Sequence, residues 1–396
     1  MKTTKPWKLS VVLLAVFGLL VAGCGSDTAD EVTGAAEDVA EETEEAVEEA
    51  AEEVEEAAED AMSDEVAMPG AGVLVTAARA NWSTGYFQAA LYSALLTELG
   101  YEVSDPADAE FPPSNGYTAM AEGEMDFWAN SWMPRHFSWF ENELTDGSLV
   151  GDHVTVVGEE MLASGLEGLL ITKAVADEYG IENLAQINDD PELVALFDDD
   201  GDGIADIFGC PEDWMCDDII DETLEFNGWD NLAQVTVAYE VMVAESVNRA
   251  NAGDPIIQFT WSPSGYLTQL RPGDNVLWLS LGSNDYVLDG SITEAFNFAI
   301  APAAPLGDAC TEAECWLGWE SADILITANN EFLDANPSAR ALFEVVQLSV
   351  LDVANQNVLY NNGENSEDDV KRHAQDWIAE NRETVDGWLD AARAAA

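Results

Sequence analysis

Short apolar runs alternate with longer segments of helical spacing along most of this chain. The run GVLVTAARANW is typical of a buried strand followed by a loop, and YFQAALYSALLTELGY, which is closed by Gly100, has the spacing of a helix. The same order recurs in MDFWANSW, GLEGLLITKAVADEYG, DPIIQFTW and NVLWLSL, and PSARALFEVVQLSVLDVANQNVLY predicts a pair of helices. This alternation predicts α/β lobes with mainly parallel sheets, in which a ligand site lies beyond the carboxyl ends of strands.

The N-terminus has a different pattern. After the basic segment MKTTKPWK, the uncharged stretch from Leu9 to Ala22 is shorter than the roughly 20 apolar residues of a membrane-spanning helix, and residues 1–23 are typical of a signal peptide. Its end, Val-Ala-Gly before Cys24, is similar to a bacterial lipobox, so we expect Cys24 to be lipidated and to anchor the protein to the membrane. An ordinary secretion signal beside a coincidental cysteine is the alternative.

An acidic tract follows the predicted lipidation site. Between Asp27 and Glu65 there are 19 Asp and Glu and no Lys or Arg, with apolar side chains too sparse to bury a core. We interpret residues 24–69 as a tether, partly helical or disordered, with a weak coiled-coil strip as the alternative. The long remainder exceeds what a single core usually holds, so we expect two domains beyond the tether.

Charge and motifs exclude several classes of function. The formal net charge of −65 argues against binding to nucleic acid or, through charge, to an anionic membrane. The sequence has no Ser/His/Asp set, phosphate loop or metalloprotease motif, so we do not expect an enzyme. A binding protein is the better hypothesis.

Four cysteines remain beside Cys24, which is an even number in a chain predicted to be exported. Pairing of neighbours, Cys210 with Cys216 and Cys310 with Cys315, would close two short loops in an oxidising compartment. A metal site is the competing hypothesis, although neither pair has the two-residue gap that is usual in zinc knuckles.

Tryptophan is unusually abundant, with 13 residues, and three of them share a context. Trp132 and Trp261 each follow a predicted strand and precede a proline by two positions, which is expected to end the strand. Trp214 lies between two cysteines in GCPEDWMC. The alternative for each indole is that it fills core space.

Several of these segments together resemble the glycine betaine and proline betaine binding proteins of osmoprotectant ABC importers. The resemblance spans about residues 70–390 and includes YFQAALYSALLTELGY, ANSWMPRH, LFDDDGDGIADIFGCPEDWMC, FTWSP and the segments from NPSARALF to WIAENRETVDGWLD. It implies that Trp132, Trp214 and Trp261 form a cage around a quaternary ammonium group. It also implies that the backbone amides of Met215 and Cys216, at the start of a helix, bind the ligand's carboxylate.

The resemblance gives His136 a role but assigns none to Arg135 or Tyr266. His136 matches a family position that contacts the carboxylate, with a surface histidine as the alternative. We expect Arg135, next to it, to point into solvent. After Trp261 the chain has SPSGY where relatives carry a further aromatic residue, and whether Tyr266 compensates stays open.

The implied architecture is the two-lobe periplasmic-binding-protein fold of type II, the Venus flytrap, with a hinge between the lobes. We expect residues 70–165 and 319–396 to form one lobe and residues 166–318 the other, closing around the ligand. The implied partners are an ABC permease and its ATPase. Another onium ligand (choline, carnitine, proline betaine or a sulfonium osmolyte), or a ligand-sensing receptor without transport, is the alternative.

The loop FDDDGDGIAD is similar to the first half of a calcium loop. Its acidic positions are Asp198, Asp200, Asp202 and Asp206, but Gly209 stands where an EF-hand has its closing glutamate. A structural calcium ion is one hypothesis, and an acidic loop held by Asx turns is the alternative.

Overall fold

The computed structural model describes residues 67–283, 304, 306–319 and 321–396. The predicted signal peptide, Cys24 and nearly all of the predicted tether lie outside these residues, so the interpretations of these segments stay predictions. Within the described ranges no helix is long and apolar enough to cross a bilayer.

The described part of the chain alternates strands and helices, as the apolar pattern predicts. The strands are β1 Leu74–Val75, β2 Arg79–Ala80, β3 Glu102–Val103, β4 Glu110–Phe111, β5 Phe127–Met133, β6 Val154–Thr172, β7 Ala205–Phe208, β8 Leu232–Val235, β9 Ile257–Ser262, β10 Val276–Leu279 and β11 Ala322–Asn329. The helices are α1 Tyr86–Glu98, α2 Pro113–Ala121, α3 Val150–His153, α4 Lys173–Tyr179, α5 Leu184–Asp189, α6 Pro191–Phe197, α7 Met215–Asn227, α8 Tyr239–Ala252, α9 Asn330–Ala335, α10 Pro337–Val345, α11 Val350–Asn361, α12 Glu367–Glu380 and α13 Arg382–Ala394.

The long strand β6 links two groups of strands. The hydrogen-bonded order is β5-β11-β6-β9-β7-β8, with β10 also paired to β6. The first part of β6, up to Gly165, pairs with β11, whereas the part from Leu166 onward pairs with β9 and β10. The change of partner falls where the lobe boundary is predicted, and the residue bounds of the lobes stay a prediction.

The expectation of mainly parallel sheets was wrong for this central strand. β7 is parallel to β8 and β9, but β6 is antiparallel to β9, β10 and β11, and β11 is antiparallel to β5. The reason is the path of the chain. It leaves the first group of strands along β6 and returns to it along β11, so two neighbouring connecting strands run in opposite directions.

Proline follows the two strands that carry Trp132 and Trp261, as predicted. β5 ends at Met133 before Pro134, and β9 ends at Ser262 before Pro263. Both of these X-Pro peptide bonds are cis. All seven residues of β5 are buried, so Trp132 is presented from a strand that is packed on both faces.

Candidate functional site

A cavity lies where the two groups of strands meet. It collects side chains from β5, β6, β9, the start of α7 and the loop after β2. Its lining residues are Trp82, Pro113, Trp132, Arg135, His136, Glu167, Trp214, Met215, Cys216, Phe259 and Trp261. The structure therefore brings all six residues of the predicted ligand site to one place.

Four indoles form much of the cavity wall, one more than the sequence predicted. Trp82 and Trp214 have ring centroids 5.4 Å apart with planes at 71°. Trp214 and Trp261 are 5.5 Å apart with planes at 73°. Trp132, at the end of β5, is the fourth. Successive rings set edge to face give walls at steep angles to one another. Such walls suit a compact cation with an apolar outer surface better than a flat aromatic ligand.

Every one of these indole N–H groups has an acceptor within the protein. Trp82 and Trp132 both donate to Asn130 Oδ1, at 2.7 and 2.9 Å. Trp214 donates to Asn81 Oδ1 at 3.0 Å, and Trp261 donates to Thr84 Oγ1 at 3.2 Å.

Because the N–H edge of each ring is held by the protein, its orientation is set by these bonds. The π faces are then the part of each indole that is left for a ligand. A cation with no N–H group needs only such faces.

Asn130 is itself positioned by a buried polar chain. Its Nδ2 donates to Gln88 Oε1 at 2.7 Å, and Gln88 Nε2 donates to Glu160 Oε1 at 2.6 Å. Glu160 is 2% exposed, and burial raises the pKa of its carboxyl group to about 8. Glu160 is therefore mostly protonated at neutral pH. The hydrogen-bonded side chains of Asn130, Gln88 and Glu160 then carry no net charge beneath the indoles.

His136 faces the cavity in a defined tautomer. Its Nδ1 accepts the backbone N–H of Trp132 at 3.2 Å and lies 2.8 Å from the hydroxyl of Tyr117. A nitrogen that accepts a backbone N–H carries no proton, so the proton of the neutral ring is on Nε2. Burial, with the nearby charge of Arg135, lowers the pKa of His136 to about 3. His136 is thus a neutral ring with one N–H to donate.

Arg135 does not point into solvent, and that expectation was wrong. It is 2% exposed and lines the cavity, where its Nε lies 2.8 Å from Oε2 of Glu167 on β6. A buried guanidinium needs a carboxylate partner, and this one comes from a distant strand. The position of Arg135 next to His136 in the sequence could not reveal this ion pair.

The predicted anion site lies at the start of α7. The helix begins at Met215, directly after Trp214, and is 13 residues long. The first N–H groups of a helix have no intrahelical acceptor and attract negative charge. Cys216 is joined to Cys210 by a disulfide, which ties the loop before the helix to its first turn. The second predicted disulfide, between Cys310 and Cys315, is present as well.

Two tyrosines support the indoles from behind. Tyr239 lies 4.7 Å from Trp261 and 5.5 Å from Trp214, ring centroid to centroid. Tyr266 packs against Trp261 at 6.1 Å with an interplanar angle of 85°. Neither is among the residues that line the cavity. Tyr266 therefore holds Trp261 in place rather than adding another wall.

The acidic loop lies apart from the cavity. One carboxylate oxygen from each of Asp198, Asp200 and Asp202 falls within 4.8 Å of the others. Asp206 is not in this group; its carboxylate accepts the backbone N–H of Asp199 at 2.8 Å. Asp198 accepts backbone N–H groups of the same loop, as an Asx-turn loop would, so both hypotheses for the loop stay open.

Sequence reasoning missed Trp82, Glu167 and the acceptors of the indole N–H groups. Trp82 had a usable signal, because it follows a predicted buried strand in ARANW, as Trp132 and Trp261 follow theirs. Glu167 and Asn130 had none. Each lies inside a strand, and only the pairing of strands shows which side chain it meets.

Solved structures of the same fold place this architecture in a known class. A choline-binding protein of an ABC transporter in complex with choline has a TM-score of 0.58 and 18% identity, and the match covers 81% of this chain and 96% of that chain. Lactococcal OpuAC, closed and complexed with glycine betaine, has a TM-score of 0.54 and 15% identity over 80% of this chain and 99% of that one. These matches show that the chain has the two-lobe fold of those binding proteins.

The particular family follows from sequence. Residues 73–380 match the substrate-binding domain of ABC-type glycine betaine transport systems, and the chain belongs to that family. The glycine betaine/proline betaine-binding periplasmic protein of Escherichia coli K12 is 31% identical over 329 residues, which are 83% of this chain and 92% of that protein. The glycine betaine-binding periplasmic protein OusX of Dickeya dadantii 3937 is 32% identical over 335 residues, with the same coverage. The predicted fold and family are confirmed.

Stability should depend on pH through Glu160. Its carboxyl group has a pKa near 8 when folded and an ordinary value of 4.5. Between pH 4.5 and pH 8 the Glu160 carboxyl group is protonated in the folded protein but ionised in the unfolded protein. The contribution of this group to the free energy of unfolding is therefore fully present below pH 4.5 and is lost as the pH rises to 8. Across that window wild type should lose up to about 1.4 kcal/mol per pH unit relative to Glu160→Gln, which keeps the acceptor for Gln88 and cannot ionise. Urea denaturation of both proteins at pH 5.5, 6.5 and 7.5 measures this, and parallel curves would contradict it.

Proposed function

We propose that this protein captures glycine betaine or a close quaternary ammonium relative in the indole cavity and delivers it to an ABC permease driven by its ATPase. The observation that carries the proposal is the set of four indoles around one cavity, each with its N–H bonded to the protein. The family and the relatives named above support the transport role.

The cationic end of such a ligand fits the indole faces. A quaternary ammonium has no N–H to donate, so hydrogen-bond acceptors would not help, and attraction to π faces is what remains. Each face contributes roughly 0.5 to 2 kcal/mol, more where water is excluded. Trp82, Trp132, Trp214 and Trp261 are all 8% exposed or less, so the contact would be largely dry.

The carboxylate end of a betaine fits the opposite set of groups. The N–H groups of Met215 and Cys216 open α7, and His136 carries its proton on Nε2. These donors are neutral, and the nearby Arg135 is offset by Glu167. A zwitterion, which has zero net charge, therefore meets donors at one end and π faces at the other without adding an unpaired charge to a buried site.

We also propose that the protein works outside the cytoplasm as a lipoprotein. The relatives from Escherichia coli and Dickeya dadantii are periplasmic proteins. The signal-like stretch from Leu9 to Ala22 followed by Cys24 supports a lipid anchor, and residues 24–69 would act as the tether. Both disulfides suit an oxidising compartment.

Tryptophan fluorescence should report binding of onium compounds. Titration with glycine betaine, proline betaine, choline, carnitine and a sulfonium analogue should give saturable changes, and Trp214→Leu should weaken binding about 3- to 30-fold because it removes one π face. Trp316→Leu, at a half-buried tryptophan that does not line the cavity, is the matched control and should bind like wild type. A flat response of wild type to every onium compound would overturn the proposed function.

His136 should discriminate between ligands with and without a carboxylate. His136→Leu removes the Nε2–H donor, so the Kd for glycine betaine should rise by about tenfold or more, as expected for a hydrogen bond to a charged group. The Kd for choline, which has no carboxylate, should change much less. Isothermal titration with both ligands measures the ratio, and His153→Leu, at a histidine on α3, is the control. An equal loss for both ligands would show that His136 only supports the cavity wall.

A structural calcium ion at Asp198, Asp200 and Asp202 is a separate proposal. Calcium prefers several carboxylate oxygens, and three converge here. We expect the melting temperature to rise with millimolar Ca²⁺ and to fall with EDTA, and we expect Asp200→Asn/Asp202→Asn to abolish the response. A wild-type melting temperature that is the same in Ca²⁺ and in EDTA would leave the Asx-turn loop as the explanation.

A further inference from the structure

Residues 81–84, with the sequence NWST, lie directly after β2 and reach side chains of the other group of strands. Asn81 Oδ1 accepts from Trp214 at 3.0 Å, and Thr84 Oγ1 accepts from Trp261 at 3.2 Å. The hydroxyl of Ser83 lies 3.3 Å from that of Tyr266. Three of these four consecutive residues thus form hydrogen bonds with aromatic residues that line the cavity or pack behind it.

The two sides of these bonds belong to different groups of strands. β2, which leads into this segment, pairs with β4, and the isolated bridge from Ala77 to Phe127 ties the same region to β5. Trp261 is in β9, which pairs with the later part of β6, and Trp214 precedes α7, which packs on β8. In a two-lobe binding protein such bonds exist only while the lobes are together.

We propose that residues 81–84 form a latch in which Asn81 and Thr84 are positioning residues that make the indole cage depend on lobe closure. Closing the lobes brings each acceptor to its indole N–H, and the bond then turns the π face of that indole toward the cavity. The proposal rests on the proposed ligand class for the same cavity. It adds that the affinity for the ligand is set partly by two residues that need not touch it.

Burial makes these bonds consequential for the closed state. Thr84 is 4% exposed and Trp261 is also 4% exposed, so an indole N–H without its acceptor would be left unpaired in a dry site. In the open state water can take the place of each acceptor. Removal of an acceptor therefore penalises closing much more than it penalises the fold of either lobe.

The test compares Asn81→Ala, Thr84→Val and the double variant with wild type by stopped-flow tryptophan fluorescence with glycine betaine. Each single variant should raise Kd about 3- to 10-fold, with the change in the dissociation rate and with the association rate within about twofold, because the latch acts after encounter. Thr84→Ser should restore most of the affinity, since it keeps the hydroxyl. Thr118→Val removes a hydroxyl bonded within α2, to the carbonyl of Ser114, and is the matched control.

A second measurement does not depend on the ligand class. Fluorophores attached through unnatural amino acids at the exposed positions Glu124 and Glu225 report the distance between the lobes. Asn81→Ala and Thr84→Val should each shift the distribution of distances between the lobes toward longer values than in wild type, with the same melting temperature. Distances and Kd values equal to those of wild type, or a Thr84→Ser variant as weak as Thr84→Val, would overturn the latch. If wild type binds no onium compound, the proposed function fails, whereas the lobe distances still decide the latch.

Discussion

The hydrogen bond that each cavity indole donates is the interaction on which the rest of the site depends. A buried N–H without an acceptor costs free energy, and Asn81, Thr84 and Asn130 accept the N–H groups of the four cavity indoles. Once those edges are bound, the rings have little freedom to turn. The faces that remain can attract a cation but offer it no hydrogen-bond acceptor, and such faces favour groups without N–H.

The polar groups around the indoles are balanced so that the cavity gains no net charge. Glu160 is mostly protonated, His136 is neutral, and Arg135 is paired with Glu167. The chain as a whole has a net charge of −65. A cavity with a free carboxylate would favour any cation, including simple inorganic ones. A neutral cavity lined by π faces and backbone donors instead suits a ligand that carries both charges itself.

The sequence predicted the residues of the cavity wall better than their surroundings. Trp132, Trp214, Trp261, His136, Met215 and Cys216, which the family resemblance implied, all line the cavity. Arg135 was misplaced and Glu167 was not considered, since their pairing joins a loop to the middle of β6. The antiparallel course of β6 was missed for the same reason: strand direction depends on how the chain passes between lobes.

Local chemistry therefore decided where strands stop, where α7 begins, which cysteines pair and which indoles are presented at those ends. Proline at 134 and 263 and the short cysteine spacing act within a few residues, so no tertiary information is needed to use them. Only the tertiary structure decided that Trp82 also lines the cavity and that Asn81 and Thr84 accept the indole N–H groups of Trp214 and Trp261. Contacts between residues so far apart in the chain arise from the packing of lobes, which no local pattern encodes.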